Sequence, residues 1–131
     1  MLKVTENQIQ GAFFSWCDKH RRQMPELELM FAIPNGAYKS KYAQKLFKST
    51  GLKAGVLDVF FPVPRCGFNG MFIEFKSESG RLSPAQKWWI ENLRKQGYLV
   101  TTCRDWELAG VMVTAYLKGD KDKVTSMVQD K

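Results

Sequence analysis

Asp58, Glu74 and Lys76 are the residues whose types and spacing offer chemistry. Glu74 and Lys76 interrupt Met71-Phe72-Ile73-Glu74-Phe75-Lys76, which is otherwise an apolar run with the character of a strand. Residues two apart on a strand point to the same face, so the two side chains stand side by side, about 7 Å apart at the backbone. Burying two ionised groups together is costly unless they act together. Asp58 lies in a second apolar run, Val56-Leu57-Asp58-Val59-Phe60-Phe61. A carboxylate from each of two neighbouring strands, with a lysine beside them, makes a site for a divalent metal and a phosphate.

The elements that must position these groups can be read from periodicity and punctuation. Thr5 caps a helix running to about Arg22, with Gln8 at the capping-box position. Glu28 to Ile33 reads as a short strand stopped by Pro34-Asn35-Gly36, and Tyr38 to about Thr50 as a second helix ended by Gly51. Val56 to Phe61 is a strand of β-branched and aromatic residues. Residues 62–70, rich in Pro and Gly, form a loop, so Met71 to Lys76 returns as the second arm of a hairpin. Ser83 caps a third helix with Pro84 at its first position and Gly97 past its end. Tyr98 to Cys103 is a strand and Trp106 to about Leu117 a last helix. Lys118 to Lys131 is a polar tail expected to fray. The order predicts an α/β domain with a mixed central sheet between helices.

The bulk properties agree. The chain of 131 residues suggests a single domain with a real core. Its net charge of +7 favours an anionic partner, most often nucleic acid for a basic soluble domain. No apolar run approaches the roughly 20 residues of a membrane span, and no signal-peptide pattern begins the chain. Cys17, Cys66 and Cys103 are scattered and odd in number; they match neither a zinc motif nor a disulfide framework, which fits a reducing cytoplasm.

Each candidate also has a plain reading. Asp58 alone reads best as a strand-start carboxylate facing water. Glu74 and Lys76 alone resemble an exposed ion pair, which contributes little. Their joint occurrence in a basic chain favours the site. Glu6 lies three residues before Ile9, on the extension of the apolar stripe Ile9, Phe13, Trp16, Cys17 and His20. It is equally an acid favoured by the dipole of the first helical turn. Gln86 shares a helix face with Trp89, Ile90 and Leu93, yet Ser83-Pro84-Ala85-Gln86 is also a plain capping box. Lys41, Lys45 and Lys48 share a face of the second helix, with Lys39 and Lys53 flanking it. Such a face is most often just solvated; beside a metal and phosphate site it supplies backbone phosphate contacts. Other chemistries fit less well. His20 is the single histidine, no phosphate-loop or nucleophile-elbow motif occurs, and Cys17 beside His20 is weak evidence for a thiol enzyme.

Four blocks carry a family resemblance: Phe31-Ala32-Ile33-Pro34-Asn35-Gly36, Gly51-Leu52-Lys53-Ala54-Gly55-Val56-Leu57-Asp58, Ile73-Glu74-Phe75-Lys76, and Gly80-Arg81-Leu82-Ser83-Pro84-Ala85-Gln86. In this order they resemble the VRR-NUC nucleases of the PD-(D/E)xK, or restriction-endonuclease-like, superfamily, in particular small stand-alone phage or bacterial members. The resemblance runs from about Glu6 to about Thr102. It implies Asp58 and Glu74 as metal ligands, Lys76 as the catalytic lysine, Glu6 as an acid assisting at the metal, and Gln86 as the accessory glutamine. Oxygen ligands of this kind suit the hard cations Mg2+ or Mn2+, and the backbone carbonyl of Phe75, between the two site residues, is a candidate further ligand. Leu57 stands where the family usually has proline; proline supplies no chemistry, so activity is expected to survive. The implied activity is metal-dependent hydrolysis of DNA phosphodiesters. Fold similarity to the dimeric Holliday-junction resolvases implies a homodimer acting on branched DNA. The alternatives are a catalytically silent DNA-binding protein of the same fold and a nuclease acting on single-stranded DNA or RNA.

Overall fold

The computed structural model describes residues 3–34, 45 and 48–129. Helix α1 spans Glu6–His20 and starts as a capping box, with Thr5 Oγ1 accepting from Gln8 N at 3.1 Å and Gln8 Oε1 accepting from Thr5 N at 2.8 Å. Ile9, Phe13 and Cys17 form its buried stripe. The chain then turns through a short 3-10 helix, Pro25–Leu29, before a two-residue strand β1, Phe31–Ala32. The strand expected over 28–33 is therefore mostly replaced. Pro25 begins the turn, and Leu27 N and Met30 N bond back to Met24 O and Leu27 O, the tight pattern that buries Leu27. The helix expected over 38–50 falls largely outside the described residues.

Strand β2 is Val59–Phe61 and β3 is Met71–Phe75, antiparallel with Val59 opposite Ile73. Both are shorter than their apolar runs. Asp58 stands just before β2, and Lys76 just after β3. Helix α2, Pro84–Lys95, carries the expected Ser83 cap. Strand β4, Leu99–Cys103, pairs parallel with β3, and helix α3 spans Trp106–Leu117 behind an Asp105 cap. Where a frayed tail is expected, Lys121–Met127 forms helix α4, packed through the buried Val124. Gln129 then bonds to the outer edge of β4 through Thr102 N and Thr101 Oγ1.

Among the described residues the sheet has the order β1-β2-β3-β4, mixed in sense and covered by helices on both faces. Alternation along β3 divides the core. Met71, Ile73 and Phe75 join Ile9, Phe13, Met112 and Tyr116 on the side of α1 and α3. Phe72 joins Leu57, Leu82, Ile90 and Val100 on the side of α2. Glu74 is two residues from Phe72 and so lies on the face that α2 covers. This is the α/β, restriction-endonuclease-like architecture expected from the sequence.

Candidate active site

Glu74 is 1% exposed, a carboxylate at the end of the central strand pair. A buried carboxylate needs donors, and it has them. Its Oε1 accepts from Asp58 N at 3.2 Å, and its Oε2 accepts from Gln86 Nε2 at 2.8 Å. Lys76 Nζ lies 3.6 Å from the same Oε2 and 3.7 Å from Glu6 Oε1. Asp58 Oδ2 accepts from Phe75 N at 2.8 Å. The five side chains proposed from the sequence, Glu6, Asp58, Glu74, Lys76 and Gln86, thus meet at the ends of β2 and β3, the start of α1 and the start of α2.

The electrostatics are those of two acids crowded out of water. Burial, followed by the charge of Asp58, pushes the Glu74 carboxyl up to about 8, against the pull of Lys76. Burial also raises Asp58, opposed by the Phe75 N–H and by Lys76. Two such acids share a proton or a cation more readily than they both stand ionised. Opposite Glu74 on β4 stands Thr102, whose buried Oγ1 has no protein hydrogen-bond partner among the described residues. A polar group in that position calls for water or an ion. Among the described residues no three acidic, cysteine or histidine side chains are drawn together as a complete ligand set. Mg2+ does not require one, since it keeps several waters and binds through one or two carboxylates. The hard oxygens of Asp58 and Glu74 therefore fit Mg2+ or Mn2+. The Phe75 carbonyl fits with them, because a strand residue directs its C=O and its N–H to the same edge, and that N–H faces Asp58.

Comparison with known proteins adds to this geometry. The model of the VRR-NUC domain matches residues 4–106. The chain belongs to the VRR-NUC domain family. It is similar to the solved structure of a VRR_NUC domain protein, with a TM-score of 0.73 and 28% identity over 89% of this chain and 91% of the other. No curated protein matches it in sequence. Membership of the VRR-NUC family gives the chain a nuclease-type function, with nucleic acid of the DNA kind as the implied substrate.

In this VRR-NUC domain, Gln86 makes both contacts that its sequence position allows. Its Oε1 accepts from Ser83 N at 2.8 Å in the capping box while its Nε2 donates to Glu74. Gly55 is a positioning residue that sequence reasoning does not single out. It has φ +80°, and a Cβ there would stand 2.5 Å from Ala85 Cβ. The segment leading to Asp58 thus lies directly against the first turn of α2, and Trp89 Nε1 fastens it by donating to Ala54 O at 2.9 Å. The signal is present in the glycine of Gly51-Leu52-Lys53-Ala54-Gly55, but its packing partner is not. Of the expected phosphate contacts, Lys45, Lys48 and Lys53 are exposed, while Lys39 and Lys41 lie outside the described residues. Among the described residues no helix is long and apolar enough to cross a membrane.

Proposed function

We propose that this VRR-NUC domain is a Mg2+- or Mn2+-dependent endonuclease that hydrolyses DNA phosphodiester bonds, selects branched DNA such as a four-way junction, and acts as a homodimer in the cytoplasm of a bacterium or a phage-infected host. The observation that carries the catalytic part is the hydrogen-bonded chain Gln86–Glu74–Asp58, with Lys76 set between Glu74 and Glu6. Asp58, Glu74 and the Phe75 carbonyl would hold the cation. When bound, such an ion supplies a Lewis acid for the phosphate and lowers the pKa of the attacking water.

The protein's own groups do the rest. Gln86 fixes one Glu74 oxygen, and the Asp58 N–H fixes the other, so the carboxylate is aimed before substrate arrives. Lys76 is a donor at the edge of this acid pair. It orients the water and hydrogen-bonds the phosphate oxygens as negative charge builds on them. Glu6 holds the lysine from the other side and assists at the cation. Lys39, Lys41, Lys45, Lys48 and Lys53 would hold flanking phosphates. The free thiols Cys17, Cys66 and Cys103 suit a reducing compartment. The branched substrate and the dimer rest on likeness of fold to junction resolvases.

The test is a panel of labelled four-way junctions, flaps, and linear single and double strands with Mg2+ or Mn2+. Symmetrical paired nicks in the junction are expected. Preference for flaps or single strands would overturn the branched-DNA reading, and binding without cutting would favour a silent DNA-binding protein.

A further inference from the structure

Strands β3 and β4 end together, with Phe75 opposite Cys103 and Lys76 N donating to Cys103 O at 3.0 Å. Beyond that last rung, residues 77–83 carry the chain from the catalytic lysine to the cap of α2. A turn begins this segment, closed by Gly80 N donating to Ser77 O at 3.1 Å. Arg104, the first residue after β4, holds the turn from outside. Its Nη1 donates to Ser77 O at 2.6 Å and to Gly80 O at 2.7 Å, with Glu78 O at 3.5 Å. One guanidinium nitrogen ties two carbonyls of a single turn, with a third at the limit of contact.

The same turn walls the lysine. A Cβ on Gly80 would stand 3.3 Å from Lys76 Cδ and 3.1 Å from Ser77 Oγ. Gly80 therefore rests on the aliphatic stem of Lys76, whose ammonium must lie between Glu74 and Glu6. Lysine is a long side chain with much rotamer freedom, and its head is placed only where its stem is held. Lys76 is 8% exposed despite lying past the end of its strand.

The geometry points to Arg104 as a positioning residue that holds Lys76 in its working rotamer through the 77–80 turn, a role whose catalytic consequence rests on the proposed nuclease activity. Arg104 and the turn also border an open cleft of about 620 Å3 beside Lys3 and Glu6. Direct contact between Arg104 and a substrate phosphate is thus the competing role that an experiment must separate.

Arg104→Lys and Arg104→Ala separate them. Positioning needs donors at the reach of Nη1, which stands one bond further from the backbone than a lysine Nζ, so the shorter ammonium does not reproduce the contacts. Both variants should then lose kcat, by about 10- to 100-fold as for other groups that orient a catalytic residue, with KM little changed. Rescue by lysine, or a raised KM with an altered salt dependence, would overturn the proposal. A second readout does not depend on cleavage. Lys76 Nζ should react slowly with an amine-acylating reagent in the wild type and several-fold faster in both variants, read by peptide mass with the exposed Lys45 and Lys48 as internal standards. Gly80→Ala, which keeps Arg104 but pushes on the Lys76 stem, should show the same gain. Unchanged Lys76 labelling in folded Arg104→Lys protein would refute the positioning role. A wild type that cuts no DNA would refute the nuclease activity alone, leaving the labelling to decide on Arg104.

Discussion

Glu74 gathers the chemistry of the site into one titration. Its carboxyl is raised from 4.5 to about 8 by burial and by Asp58. Between those values the folded protein keeps a proton that the unfolded chain releases, so folding stability falls as pH rises through that window. With metal chelated, the melting temperature should drop between about pH 5 and pH 8.5, and Glu74→Gln should flatten the slope whatever its baseline. An equal slope in the variant would show that Glu74 is not the titrating group. Gln86→Ala removes the donor to Glu74 Oε2 and one half of the α2 cap. Cleavage should fall about 10- to 100-fold and stability by about 1 kcal/mol; full activity would show that Gln86 only caps. Asp58, Glu74 and Lys76 are legible in the sequence because charges in apolar runs stand out. Gln86 is ambiguous there because the capping motif specifies only its carbonyl end and is silent on where the amide nitrogen points.

At the scale of elements, local chemistry and long-range packing divide what a sequence can reveal. The helices that begin at Thr5 and Ser83 are legible because caps and apolar stripes are local signals. The strands are shorter than their apolar runs, since a strand lasts only while its neighbour pairs with it, and β1 offers β2 just Phe31 and Ala32. Helix α4 is hidden in the sequence because its seven residues present one buried side chain, Val124, and it is held by packing rather than by pattern. The contact of Gly55 with Ala85 is of the same kind. Gly55→Ala should cost more than about 1 kcal/mol, from its positive φ and its lack of space. It should also reduce cleavage by moving the approach to Asp58 away from Gln86. A melting curve and a cleavage rate measured on the same sample check this; wild-type values in both would refute the close packing.

Over the whole molecule, a net charge of +7 on 131 residues fits a partner with a phosphate backbone. Binding of DNA to the metal-free protein should weaken steeply with salt. Lys45→Ala with Lys48→Ala should lower that slope by about one unit for each phosphate that the protein no longer neutralises. An unchanged slope would remove these lysines from the interface. In the proposed function, Asp58, Glu74 and Lys76 form a metal-dependent centre for phosphodiester hydrolysis. Asp58→Asn tests it most directly, because an amide oxygen can still accept from Phe75 N–H while the charge is gone. Cleavage of a labelled four-way junction in Mg2+ should fall more than about 100-fold in a variant that melts as a folded protein. Cleavage at the wild-type rate by that variant would remove Asp58 from the chemistry and, with it, the metal centre.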